Sequence, residues 1–209
     1  MKISILGAGN VGGTLGRAWA SKGHDVFFGV PRPGDAKTQE LLKSIGPKAR
    51  AGTVAEAGAG DVLVLATPWP ATKDAVQAAG NLAGKVVVDC TNPLKEDFSG
   101  LALGFTTSGA EQVAEWAKGA KVYKAFNQVG FNIMGNPAFG SQRAVMFVCG
   151  DDDAHKPTVL RLASEIGFEA IDAGKLAIAR LLEPYGMLWI HLALARGFGR
   201  DFAFGLLRR

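Results

Sequence analysis

KISILGAGNVGGTLGRAWAS, residues 2–21, sets a short apolar run, a glycine-rich turn and an amphipathic stretch in immediate succession. Lys2–Leu6 reads as a strand covered on both faces, and Asn10–Ser21 places its apolar residues at helical spacing. Between them Gly7, Gly9 and Gly12 keep the G-x-G-x-x-G spacing in the one context where it has a physical reason, directly after a strand and opening a helix. The first glycine permits the tight turn, the second lets backbone amides approach a diphosphate, and the third lets helix and strand pack closely. The positive helix end that opens at Asn10 and Val11 then meets the phosphate charge. The stretch therefore predicts a dinucleotide-binding βαβ start.

Further apolar runs follow at Asp25–Gly29, Asp61–Ala66, Lys85–Cys90, Lys121–Phe126 and Val145–Gly150. The segments between them suit crossover helices, among them Ala36–Ser44, Ala71–Ala79, Gly109–Lys118 and Asp153–Glu165. This alternation predicts an α/β doubly wound, Rossmann-type, mostly parallel sheet. From about Gly174 the pattern changes: Ala177, Ile178, Leu181, Leu182, Tyr185, Leu188, Trp189 and Leu192 recur every three or four residues as one apolar helical stripe. Pro184 should kink or restart that helix near Glu183. The stripe can cover the sheet or dock on a second subunit, and a swapped two-fold dimer would do both. The expected division is a dinucleotide-binding unit over residues 1–172 and a C-terminal helical segment over 173–209 that completes the site and a homodimer.

Composition narrows the function classes. The chain has 209 residues, 48% hydrophobic and 20% charged, which suits one packed core and excludes a disordered or fibrous chain. Its 28 glycines are well above the average share and point to tight turns. Lys and Arg exceed Asp and Glu by 23 − 19 = 4, but the positive charges are scattered, which favours a small anionic ligand over nucleic acid. Cys90 and Cys149 lie inside apolar runs and read as buried strand residues. No stretch has the pattern of a signal peptide or a membrane span, so a soluble, cytoplasmic protein that does not engage the membrane is expected.

The end of the second run selects the nucleotide. An acid there would hold a ribose 2′-hydroxyl and repel a 2′-phosphate. Asp25 stands at the strand's start, roughly 15 Å away at ~3.3 Å per residue. At the correct end are Val30, Arg32 and Lys37, with no acid before Asp35, and Arg32 offers a forked guanidinium to phosphate. NADP(H) is therefore expected over NAD(H). Ala66, Thr67, Pro68 and Trp69 close the next run at the same sheet edge. Trp69 has two open readings, a wall for the nucleotide or an aromatic cap on the sheet. Asn92 and Pro93 end the Lys85–Cys90 run near the place of a nicotinamide, with Asn92 able to hydrogen-bond it. Asn127 ends the following run and is read either as a substrate-side residue or as a structural turn.

Other groups read as structural. His24, His155 and His191 lack metal spacing and a neighbouring nucleophile pattern. Asp151, Asp152 and Asp153 precede a helix start, where carboxylates cap amides, and no metal site is expected. There is no Tyr-x-x-x-Lys pair to protonate a carbonyl. A dinucleotide site without an evident acid or base suggests direct hydride transfer to a small-molecule redox acceptor, with the protein supplying proximity rather than catalytic side chains.

With these residues in view, the sequence resembles the NADP oxidoreductases that depend on the deazaflavin coenzyme F420. SILGAGNVGGTLGRAWASKGHDVFFGVPR, TPWPAT, VVVDCTNPL and VCGDDDAHKPTVLRLASEIGFEAIDAGKLAIARLLEP carry the resemblance in order along nearly the whole chain. It implies an N-terminal NADP domain, C-terminal helices that complete a homodimer, and a deazaflavin over the nicotinamide for direct hydride transfer. It also implies that Gly7 to Gly12, Val30, Arg32 and Thr67 to Trp69 hold NADP. Asn92, Pro93 and Leu94, with Asn127 to Val129, would line the transfer cleft, Leu94, Asn127 and Val129 on the substrate side. Val30-Pro31 stand where the family often has Ser-Arg, and Asn127 stands where archaeal members often have histidine. The KAFN text around Asn127 also resembles the cytosolic oxidoreductase domain of membrane ferric reductases.

Overall fold

Ile3, Ile5 and Leu6 have no exposed surface. Strand β1 (Lys2–Leu6) therefore serves two cores, with Ile3 and Ile5 facing one and Leu6 the other, as period-two side chains require. The computed structural model describes residues 1–209. After β1 come α1 (Asn10–Ser21), β2 (Asp25–Gly29), α2 (Ala36–Ile45), β3 (Ala49–Gly52) and α3 (Val54–Ala57). Then follow β4 (Val62–Leu65), α4 (Trp69–Ala78), β5 (Val86–Asp89), α5 (Gly109–Trp116), β6 (Lys121–Lys124) and α6 (Phe131–Gly135). The hairpin β7 (Ala138–Phe139) and β8 (Gln142–Arg143) leads to β9 (Val145–Gly150), α7 (Lys156–Glu165) and β10 (Glu169–Gly174). A 3₁₀ turn, Leu176–Ile178, then α8 (Ala179–Ile190) and a π turn, His191–Ala195, follow.

The main sheet has the order β10-β9-β6-β5-β4-β1-β2-β3. Strands β1 to β6 are parallel, while β9 runs antiparallel to β6 and β10 parallel to β9. The α/β doubly wound expectation holds, and the chain reverses its direction of winding between β1 and β4. Such a switch point opens a crevice at the carboxyl ends of the strands. One core layer packs α1 and α7 through Leu15, Trp19, Val159 and Leu162. The other packs α4, α5 and α8 through Val76, Val113 and Leu182.

Several boundaries differ from expectation. The run expected at Asp61–Ala66 is a strand over Val62–Leu65, that at Lys85–Cys90 over Val86–Asp89, and that at Lys121–Phe126 stops at Lys124. Their last residues, whose amides still bond to the neighbouring strands, lead into the ligand-side turns. Helix α4 starts at Trp69 rather than Ala71, and α7 at Lys156 rather than Asp153. Strands β3 and β10 were not expected, because ARAG and EAIDAG lack the β-branched density that marks a strand.

Pro184 does not restart the terminal helix: α8 is continuous over Ala179–Ile190 with Pro184 inside it. Proline removes one helix hydrogen bond and costs about 3 kcal/mol. Leu182, Glu183 and Gly186 are buried beside it and hold the helix in register. The apolar stripe divides, since Leu182 and Trp189 are buried whereas Leu181 and Leu188 are 66% and 48% exposed. Beyond the π turn the chain folds back, and Phe202 stacks on Trp189 at 5.2 Å while Phe204 meets Tyr185 at 4.7 Å. No helix is long and apolar enough to cross a membrane.

Candidate active site

The turn after β1 is built around missing side chains. Gly7 has φ of 106°, and a Cβ there would stand 2.7 Å from the Ala66 carbonyl oxygen of the neighbouring strand. A Cβ on Gly12 would collide with the Gly7 carbonyl. Gly9, by contrast, faces open space, with nothing within 4 Å of a Cβ built on it. It is the N-cap of α1, yet no side chain caps this end and no acid lies in the first turn. The amides of Asn10, Val11 and Gly12 thus open onto a cradle without a protein acceptor. These features fit a dinucleotide diphosphate.

Beside this cradle, Val30 is buried and donates its N–H to the Gly52 carbonyl at 3.0 Å. Arg32 and Lys37 are exposed at the same end of the sheet. Asp35 caps α2 by accepting from the Lys37 amide at 3.2 Å, and Glu56, just past the end of β3, accepts from Thr53 N and Oγ1. Asp25 sits at the opposite edge, bonded to Lys48 at 3.0 Å. On the other side of the switch point, the Ala66 amide donates to the Leu6 carbonyl at 2.9 Å. Thr67 Oγ1 lies 3.0 Å from Thr72 Oγ1, which fixes the exposed Pro68 turn. Trp69 is half-buried, with its ring 5.3 Å from that of Trp116 between α4 and α5. The core side of this residue is therefore occupied by Trp116.

Strands β5 and β6 end next to one another, with Asp89 and Lys124 in register. Beyond them, Asn92 Nδ2 donates to the Asn127 carbonyl at 2.8 Å and Asn127 Nδ2 donates to Asn92 Oδ1 at 3.0 Å. Asn127 also donates to the Leu182 carbonyl at 3.0 Å. The two asparagines are a coupled pair rather than independent ligand arms. Pro93 and Val129 are buried beside them, and Leu94 is half-buried. Phe126, immediately before Asn127, has φ of 60°, a strained conformation for a bulky residue. Its ring is wedged between Trp19 and Phe168, at 5.6 and 6.2 Å, and this packing holds the turn. Gln128 completes it by exchanging two hydrogen bonds with the Phe147 backbone, at 2.8 and 3.0 Å.

Beneath these turns lies a cluster that the sequence reading missed. Lys124 Nζ donates to Asp89 and to the Thr91 carbonyl at 2.7 and 2.8 Å, and lies 2.7 Å from Glu183. All three charged residues are fully buried. Glu183 accepts from the amides of Gly109 and Ala110 at 2.9 and 3.1 Å, and Asp89 accepts from Thr91 N and Oγ1 at 2.9 and 2.7 Å. Burial alone would lower the Lys124 pKa, but Asp89 and Glu183 outweigh it and the net direction is upward. Two lone charges inside VVVDC and VYKAF were the available signal, because a charge inside a covered strand must find a partner. Burial pushes the Cys90 thiol well up and takes Cys149 to about 12, so neither is a thiolate nucleophile.

His24 and the aspartates ahead of α7, read as structural, have structural partners. His24 bonds Glu165 at 2.7 Å. Asp152 accepts from the His155 amide at 2.9 Å, and Asp151 from the Leu176 amide at 3.0 Å.

Residues 2–93 match the family described as "NADP oxidoreductase coenzyme F420-dependent". A crystal structure from Arthrobacter sp. FB24, provisionally named an F420-dependent NADP reductase, shares 34% identity at a TM-score of 0.90, with 100% of both chains covered. A hypothetical protein from Sinorhizobium meliloti shares 27% identity at a TM-score of 0.80, covering 100% of this chain and 96% of the other. The metalloreductase STEAP3 of Rattus norvegicus is 30% identical over 184 residues, 87% of this chain and 36% of the relative. The chain thus spans about a third of that curated relative.

Proposed function

Because the chain belongs to the coenzyme F420-dependent NADP oxidoreductase family and is an NADP-dependent oxidoreductase, we propose that it passes a hydride directly between NADP(H) and a deazaflavin or flavin-like acceptor. The bound nicotinamide supplies or takes up the hydride. Gly7, Gly9, Asn10, Val11 and Gly12 hold the diphosphate, and Arg32 and Lys37 meet the 2′-phosphate. Ala66, Thr67, Pro68 and Trp69 flank the switch point, while Asn92 and Pro93 receive the nicotinamide end. Leu94, Asn127 and Val129 line the acceptor side.

One observation carries this reading. The charged groups at the ends of β5 and β6, Asp89 and Lys124, are buried and spoken for, since Lys124 has three acceptors for its three protons. The protein's task is then to orient and to exclude water, and the acceptor is one that takes hydride without a proton from the enzyme. The test mixes NADPH anaerobically with oxidised coenzyme F420 and follows the loss of deazaflavin absorbance, with FMN and a ferric chelate in parallel. Rapid loss with the deazaflavin alone is expected. Turnover only with FMN or the chelate would overturn the deazaflavin, and NADPH binding without any turnover would favour a redox sensor.

The assembly we infer is a cytoplasmic homodimer without nucleic-acid or membrane partners. Leu181, Leu188 and Leu194 leave an exposed apolar row, 48–66% accessible, along α8 and the π turn. Sedimentation at increasing concentration checks it, and a monomer throughout would overturn it.

A further inference from the structure

Asp89, Lys124 and Glu183 have no exposed surface and meet behind the Thr91–Asn92 turn. Hydride transfer itself gives them no task. A buried ion cluster adds little net stability over a packed apolar one, because desolvation offsets the attraction. What this cluster supplies is geometry. Glu183, from the C-terminal helix, reaches Lys124 at the end of β6 and the first amides of α5 together. The same lysine grips the Thr91 carbonyl, one residue before Asn92.

The helix also touches the asparagine pair directly. The Leu182 carbonyl accepts from Asn127. One turn on, a Cβ at Gly186 would stand 2.6 Å from the Asn127 carbonyl oxygen and 3.2 Å from Asn92 Oδ1. Helix α8 can approach this closely only because position 186 has no side chain, and glycine inside a helix is otherwise destabilising relative to alanine. Glu183 and Gly186 are three residues apart and so lie on one helix face.

The geometry points to Glu183 and Gly186 as positioning residues, through which the C-terminal helix sets the Asn92–Asn127 pair for the nicotinamide end of the nucleotide. The inference rests on the NADPH site proposed above. It is tested by calorimetric titration of two probes, NADPH and 2′-phospho-ADP-ribose, which keeps both phosphate anchors and lacks the nicotinamide. Gly186→Ala is expected to bind NADPH about tenfold more weakly, the worth of roughly one hydrogen bond. Its affinity for 2′-phospho-ADP-ribose should stay within about twofold of the wild type. Glu183→Gln is expected to act in the same direction. If Glu183→Gln does not fold by circular dichroism, Gly186→Ala decides alone, since it removes none of the cluster's contacts.

Equal weakening of both probes, or of neither, would overturn the positioning role. A wild type that binds both probes equally well would overturn it too, while leaving the nucleotide site standing. A wild type that binds neither probe would overturn the nucleotide reading and this inference together.

Discussion

At Gly7–Gly12 the site is built from one stretch of chain against Ala66 and Gly29 of the flanking strands, whereas at Asn92–Asn127 it needs β5, β6, α5 and α8 brought together. The first region works by absence: no side chain at Gly7 or Gly12, and no cap on α1. The second works by mutual occupation, each amide and each charge satisfied by another segment. A local turn tolerates changes elsewhere in the fold, while a composite site inherits the condition of every element it joins.

The largest expected effect breaks the composite region. Lys124→Met leaves two buried carboxylates without their cation and should cost about 3–5 kcal/mol in urea unfolding. A loss below about 1 kcal/mol would show that the cluster is not mutually dependent. The wild type adds a pH signature. Lys124 binds its proton more tightly folded than unfolded, so its stabilisation is complete below the ordinary lysine value of 10.5 and fades as pH rises past the elevated folded value. Urea midpoints measured from about pH 9 to about pH 12 should carry a lysine-dependent loss that Lys124→Met lacks.

Next in size, Gly12→Ala tests the local region. The added methyl must displace the Gly7 carbonyl, so stability should fall by about 1–3 kcal/mol. NADPH binding should fall with it, as read by nucleotide fluorescence. Unchanged binding would mean that the turn does not shape the cradle. Arg32→Ala should be milder, raising the KM for NADPH about tenfold and that for NADH hardly at all, as befits one charge-assisted contact at the surface. An equal rise in both would remove Arg32 from the 2′-phosphate. Asp25→Asn should be silent in melting temperature and in nucleotide preference, because its exposed partner Lys48 stands at the far edge of the sheet. A shift toward NADH would contradict that placement.

The same contrast separates what could be read in the sequence from what could not. The doubly wound order follows from apolar runs alternating with helical spacing, and the glycine turn from its place between Leu6 and Asn10. Strands β3 and β10 escaped because neighbouring strands, rather than their own residues, make them strands. Pro184 misled because local propensity argues for a break, while burial of Leu182, Glu183 and Gly186 overrides it. Asn92 and Asn127 could be nominated individually, yet their pairing is a tertiary fact. Glu183 and Gly186 carried no signal at all, since neither spacing nor residue type says what lies opposite them.

The reversed direction of β9 has an electrostatic consequence for the whole edge. Because β9 enters at the ligand side and leaves at the other, α7 begins at the far edge, and its amide end points away from the crevice. The short helix α6 still starts on the ligand side, at Gly130. On that flank Phe147, Tyr185 and Phe204 form a run of aromatic contacts. The edge thus differs along its length, with the uncapped start of α1 beside β1 and packed aromatic rings past β6.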